Sequence, residues 1–216
     1  MLNSAHSVFL NYFDKGGVIF FALALLSLTS ISIIIYKIYQ FVIFNSNKID
    51  LISEKVKTLK NLREIEDFMK NKDKNSLSPN QIVVFKSLLE LVNNKELSQN
   101  EKELQKDFVI NSKLKNMESF IPSLEIIANV SPLLGLLGTV IGMISSFSQL
   151  EIGGDLVNPS LLAGGIWTAL LTTAIGLIVA IPAMVAHHFY EKKMIQLENS
   201  TLNLYSILNS SGKKNN

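Results

Sequence analysis

The sequence predicts an all-α membrane protein with three transmembrane helices and long helical cytoplasmic extensions. Three apolar blocks carry this prediction, at residues 16–44, 123–150 and 161–186. Each exceeds the roughly 18–20 apolar residues that a helix needs to cross a bilayer. Charged residues are nearly absent from the blocks, whereas the segment between the first and second blocks is rich in lysine and glutamate. A soluble protein would spread its apolar residues more evenly along the chain.

The distribution of lysine and arginine predicts the orientation. Residues 45–122 hold fourteen of the twenty basic residues, and the loop 151–160 holds none. We therefore expect 45–122 to be a cytoplasmic helical domain and 187–216 to be a cytoplasmic C-terminal helix and tail. The N-terminus and the loop are expected in the periplasm, which places the chain in the inner membrane of a bacterium as a multi-pass protein.

Residues 1–15 precede the first span and combine apolar and polar side chains. We expect this segment to lie at the outer membrane interface as a short amphipathic helix. The first span is too long for a signal peptide, and no A-x-A cleavage site follows it. It is therefore expected to remain in the mature protein.

The cytoplasmic segment shows helical periodicity in three places. Apolar residues recur at roughly helical spacing from Ile52 to Ile65, with charged residues between them. Ser78 followed by Pro79 predicts a helix start, because serine caps helices and proline suits the first helical position. Ser98 and Glu101 form an S-x-x-E capping box at the head of a further helix. We expect that helix to continue to a bend at Pro122 and then into the second span.

The composition excludes several classes of function. The chain has no cysteine, so it can form no thiolate metal site. Its formal net charge of +2 gives no electrostatic basis for nucleic-acid binding. It contains neither a G-x-x-x-x-G-K-[ST] nor a G-x-G-x-x-G motif. We therefore expect no cofactor and no enzymatic activity.

Small residues form a stripe along each of the last two spans. Such stripes let helices pack closely in lipid, where association depends on close contact between backbones. On the second span, Thr139 flanks the stripe, which consists of Ser131, Gly135, Gly138, Gly142 and Ser145. On the third span, Thr173 lies alongside the stripe, which consists of Gly165, Thr168 or Ala169, Thr172, Gly176, Ala180 and Ala183.

Two interpretations of these stripes remain open. In one, the glycines are packing devices and each hydroxyl donates to a carbonyl of its own helix. In the other, the hydroxyls line a polar lumen, aided by backbone carbonyls that Pro132 and Pro182 leave without helical donors. Because the spans have no clear ionisable residue of their own, a proton path would need a carboxylate from another chain. Glu125, at the inner edge of the second span, is a candidate cytoplasmic exit.

The stretches "NVSPLLGLLGTVIGM" and "ALLTTAIGLIVAIPAMVAHHFY" closely resemble the second and third membrane helices of the ExbB/TolQ branch of the MotA/TolQ/ExbB proton-channel family. The resemblance implies a ring-forming oligomer, typically a homopentamer, around a dimeric single-span ExbD- or TolR-like partner whose aspartate carries the proton. Protonmotive force would then drive a TonB- or TolA-like protein that spans the periplasm. By the same resemblance, Thr139 and Thr173 are the pore-facing threonines.

One position departs from the family pattern. Many relatives carry glutamate in "GIxEAL", whereas this chain reads "GIWTAL", with Thr168 at that place. A threonine can hydrogen-bond a water or the partner's aspartate, so we expect a working channel with Thr168 and Thr172 in its path. The alternatives are a TolQ-type envelope-maintenance or gliding motor, and a membrane scaffold that conducts no protons.

Overall fold

The computed structural model describes residues 2–43, 53–54, 56–57, 64, 79–153 and 159–213. The described ranges contain no strand, which confirms the all-α prediction. Within the same described ranges, segments long and apolar enough to cross a membrane lie in three helices, which confirms the three-span class. The helices are α1 (Leu2–Ile43), α2 (Pro79–Asn93), α3 (Gln99–Glu118), α4 (Ile121–Gly153) and α5 (Pro159–Lys213). The candidate spans are Gly17–Phe41, Ile121–Ser148 and Leu162–Ser211.

The chain divides into two compact units. The first, here called the membrane unit, comprises Met1–Tyr36 and Phe120–Phe189. The second, here called the bundle unit, comprises Lys37–Ser119 and Tyr190–Asn216. Each unit is described separately below.

Helix α1 is interrupted at Gly17, whose backbone has φ 57° and ψ −152°. Glycine tolerates this conformation because it has no Cβ, whereas other residues are strained there. The interruption lies close to the predicted boundary between the N-terminal segment 1–15 and the first span. Beyond it, α1 buries Leu23 and Ser30, seven residues apart, and exposes many other apolar side chains.

The connection between α3 and α4 differs from the prediction. The capping box is confirmed, because the Ser98 hydroxyl accepts from the Glu101 amide and the Glu101 carboxylate accepts from the Ser98 amide. However, α3 ends at Glu118, and Phe120 adopts a left-handed φ of 67° before α4 begins. The predicted bend at Pro122 is therefore wrong. Pro122 lies in the first turn of α4, where its missing N–H is not needed.

The bundle unit has a core of large apolar side chains. Leu88 and Leu208 are fully buried, and Phe85 and Ile110 nearly so. Val56 joins this core from one of the short described pieces, which are helical as predicted. The rest of the predicted 52–65 helix and the proposed cap Ser78 lie outside the described residues. Burial of such side chains stabilises a unit in water by roughly 1.5–3 kcal/mol each.

A buried lysine donates a hydrogen bond to the C-terminal end of α3 within the bundle unit. The Nζ atom of Lys37 donates to the carbonyl of Met117 at 2.6 Å and to Oε1 of Gln40 at 2.8 Å. Gln40 in turn donates from Nε2 to the carbonyl of Asn116. The last carbonyls of a helix lack intrahelical donors and carry partial negative charge, so a cation there is favourable.

Candidate functional site

Helices α4 and α5 contact each other through the two small-residue stripes. A methyl group built on Gly142 would lie 2.8 Å from Cβ of Ala169. A methyl on Gly135 would lie 3.0 Å from the carbonyl oxygen of Thr172. Since real Cβ atoms rarely approach so closely, the glycines allow a contact that larger residues would prevent.

The tightest backbone approach is at Gly176. A methyl group there would lie 2.6 Å from the carbonyl oxygen of Ser131 and 3.1 Å from Cα of Gly135. At Gly138 the added methyl would overlap the Thr172 side chain, with Cβ of Thr172 at 2.7 Å. By contrast, no such neighbour lies within 4 Å of a methyl built on Gly164. The stripes are therefore a helix–helix contact within one chain.

The structure shows which residues belong to the two stripes at positions where the sequence prediction was open or wrong. Ala169 is buried on the contact face of α5, whereas Thr168 is partly exposed. On α4 the C-terminal end of the stripe is Ser146, which is buried and faces Gly165, and not the exposed Ser145. The helical drift over fifteen residues accounts for this one-position error, because 3.6 residues per turn do not match a fixed spacing of three or four.

Two neighbouring threonines of α5 bond to one carbonyl of α4. The hydroxyl of Thr173 donates to the carbonyl of Gly135 at 2.9 Å. Thr172 is buried and donates to the carbonyl of Ala169 at 2.6 Å, with a longer contact of 3.4 Å to the same Gly135 carbonyl. The pair therefore joins α4 to α5, and the sequence did not identify the Gly135 carbonyl as its acceptor.

The hydroxyls of Thr139 and Thr168 bond within their own helices. Thr139 donates to the carbonyl of Leu136 at 2.7 Å, and Thr168 to that of Gly164 at 2.9 Å. Both side chains are partly exposed in the single chain. Thr139 lies one helical turn beyond Gly135, the acceptor of Thr173.

An open groove of about 560 Å³ runs along the exposed side of α4. We call it the α4 groove, and it extends from Thr139 at one end to Glu151 at the other. The sequence placed Glu151 in the outer loop, but α4 continues to Gly153 and makes it helical. The groove is lined by Thr139, Val140, Met143, Ile144, Phe147, Ser148 and Glu151.

Two further polar groups lie near the start of α4. Glu125 is exposed in the second turn of α4. Nδ1 of His187 lies 3.2 Å from the carbonyl oxygen of Ile121, which links α5 to the start of α4. His188 is exposed.

The hydrogen bonds show which hydroxyls take part in helix packing and which remain accessible at the surface. Ser131 and Ser146 donate within α4, to the carbonyls of Ile127 and Gly142, inside the α4–α5 contact. Their role is therefore packing and back-bonding. Thr139 and Ser148 remain on the surface of the hairpin, where a second chain or water can reach them.

Comparison with known proteins gives a match over more than half of the chain. The model of the MotA/TolQ/ExbB proton channel family matches residues 75–201. This region contains α2, α3, α4 and most of α5, and so includes both small-residue stripes.

Several individual proteins are similar to this chain. The biopolymer transport protein exbB1 of Vibrio cholerae is 39% identical over 88 residues, which cover 39% of this chain and 38% of that protein. The Tol-Pal system protein TolQ of Haemophilus influenzae is 39% identical over 82 residues, covering 38% of this chain and 36% of that protein. An ExbB-like protein of Synechocystis is 27% identical over 207 residues, which cover 93% of this chain and 76% of that protein. The chain thus matches well under half the length of the first two relatives.

Proposed function

This chain belongs to the MotA/TolQ/ExbB proton channel family, in the branch of ExbB and TolQ, and from that premise we propose that it is a ring-forming subunit of a proton-driven motor in the inner membrane. The observation that carries the proposal is the α4–α5 hairpin with Thr139 and Thr173 around Gly135. Both hydroxyls are at least partly exposed on the hairpin, and the Thr173 hydroxyl joins α5 to α4.

The motor needs a second polypeptide. No Asp, Glu, Lys, Arg or His occurs between residues 126 and 150 or between 161 and 186. A hydroxyl does not exchange protons usefully near neutral pH, because a carboxylate, imidazole or amine is needed for that. We propose that a dimer of an ExbD- or TolR-like single-span protein lies inside a ring, a homopentamer by family resemblance, and supplies the carboxylate.

The proposed task is to energise a TonB- or TolA-like protein across the periplasm, with outer-membrane transport favoured. The relatives named biopolymer transport proteins and the stretch "PLLGLLGTV" support this choice. A TolQ-type envelope-maintenance or gliding motor is the alternative, supported by the similarity to TolQ. The excess of lysine and arginine in 45–122 supports a periplasmic N-terminus and a cytoplasmic C-terminus.

The test is proton flux in proteoliposomes that hold this chain with its single-span partner. A trapped pH-sensitive dye reports the flux driven by a potassium diffusion potential. Thr139→Val and Thr173→Val should each lower the flux sharply, and Thr173→Ser should restore it. Thr29→Val is the matched control, because the Thr29 hydroxyl is exposed and only back-bonds to Leu26 in α1.

A non-conducting membrane scaffold is the rival function. The burial of Ser131, Ser146 and Thr172 inside the hairpin favours it, since these residues need no lumen. The same experiment separates the two: wild-type vesicles without flux, or full flux in both valine variants, would support the scaffold.

A further inference from the structure

The α4 groove contains a single titratable side chain. Val140, Met143, Ile144 and Phe147 make its walls apolar, and its polar groups are Thr139, Ser148 and Glu151. All seven lining residues come from α4. Among the described residues of this chain, Glu151 is the one carboxylate that lines the groove.

Few charged residues occur on α4 or in the first part of α5. The other charged residue of α4 is Glu125, twenty-six residues earlier, which corresponds to about 39 Å along the helix axis. Helix α5 has no Asp, Glu, Lys or Arg from its start to residue 190. Asp155, the next acid along the chain, lies outside the described residues. Among the described residues, Glu151 forms no ion pair.

Packing and helix electrostatics do not explain an acid at this position. Glu151 is exposed and lies in the last turn of α4. The C-terminus of a helix carries partial negative charge, which favours lysine or arginine and disfavours a carboxylate. Replacing Glu151 with a neutral residue should therefore leave the helix as stable as before, or more so.

From these observations we propose, as an extension that rests on the proposed function, that Glu151 collects protons at the outer end of α4 and delivers them through the α4 groove toward Thr139. In the first step the carboxylate gains an O–H bond as a hydronium ion loses one. In the second step that O–H bond breaks and the proton passes to water in the groove. The carboxylate is thereby regenerated.

The dimensions of the groove suit this path. Twelve residues separate Glu151 from Thr139, which is about 18 Å along the axis. Ser148 lies between them and can hydrogen-bond a water. The groove is open to the surroundings of the hairpin, and its volume of about 560 Å³ exceeds the roughly 30 Å³ that one water occupies in the liquid.

The experiment measures proton flux in proteoliposomes of the full chain with its single-span partner. Glu151→Gln should lower the flux on the order of tenfold, because positioned proton donors and acceptors contribute large rate factors. Glu151→Asp should restore most of the flux. Ser145→Ala is the control, because Ser145 is exposed on α4 but does not line the groove.

The outcomes separate this inference from the proposed function. Normal flux in Glu151→Gln would overturn the role of Glu151 and leave the motor standing. Reduced flux that aspartate does not restore, or that accompanies loss of the assembled complex, would mean that Glu151 is structural and would also overturn the inference. Absence of flux in the wild-type complex would overturn both.

Discussion

The core of the bundle unit is made of large side chains such as Phe85, Leu88 and Leu208, whereas the α4–α5 contact of the membrane unit is made of Gly135, Gly138 and Gly176. In water, folding gains free energy by removing apolar area from solvent, so large buried side chains stabilise most. In lipid that gain is absent, and close backbone contact with interhelical hydrogen bonds takes its place. Large side chains therefore stabilise the core of the bundle unit, whereas glycines stabilise the helix contact of the membrane unit.

The first prediction removes volume from the bundle unit. Leu88→Ala should lower the free energy of unfolding of this unit by about 2–5 kcal/mol, because it leaves a cavity in the core. The measurement is denaturant unfolding in detergent micelles, followed by amide exchange in α2. Leu104→Ala is the control, since Leu104 is 79% exposed. An equal loss in the control would show that this core is not what stabilises the unit.

The second prediction adds volume to the hairpin. Gly176→Ala should destabilise the membrane unit by about 1–3 kcal/mol, because the added methyl meets backbone atoms that cannot rotate away. Gly164→Ala, which adds the same methyl where nothing lies within 4 Å, should be neutral. Thermal unfolding of the detergent-solubilised protein tests the pair. If both variants melted alike, the close contact at Gly176 would be disproved.

The third prediction compares the stability lost when an interhelical hydroxyl or an exposed hydroxyl is removed. Thr173→Val removes the bond to the Gly135 carbonyl and should cost about 0.6 kcal/mol, the average for interhelical hydrogen bonds in membranes. Thr139→Val removes only a bond within α4 and should leave stability unchanged. Both should reduce proton flux under the proposed function. A Thr139→Val variant that unfolds more easily than Thr173→Val would reverse these assignments.

The fourth and smallest effect comes from pH. Hydrogen bonds with Ser98 hold the pKa of Glu101 below its ordinary value of 4.5. Because the folded value is the lower one, the carboxylate stabilises the start of α3 above the unfolded pKa. This stabilisation is lost as pH falls through the folded pKa.

The Ser98 amide donates to Glu101 Oε2 at 2.7 Å, so its protection factor, the intrinsic exchange rate at each pH divided by the observed rate, should fall on acidification. Glu101→Gln should remove this pH dependence. Amides of α4 between residues 126 and 150, where no side chain is charged, should not respond. A parallel response in both units would contradict the electrostatic contrast between them.

The all-α class, the three spans and the capping box at Ser98 follow from local sequence patterns. These features depend on composition and on residues three or four apart, which a helix brings together without tertiary contacts. The small-residue stripes could also be predicted from the sequence, because their spacing follows the period of the helix. The family followed from two motifs within those same spans.

The contacts of each small residue, by contrast, depend on how the helices pack against each other. The tertiary structure selected Ala169 over Thr168 and Ser146 over Ser145, because helical drift makes the facing residue depend on how two helices meet. It identified the Gly135 carbonyl as the acceptor of Thr173 and placed Glu151 in the same groove as Thr139. Lys37 likewise caps α3 from 80 residues away. Such partners are distant in sequence, so no local pattern encodes them.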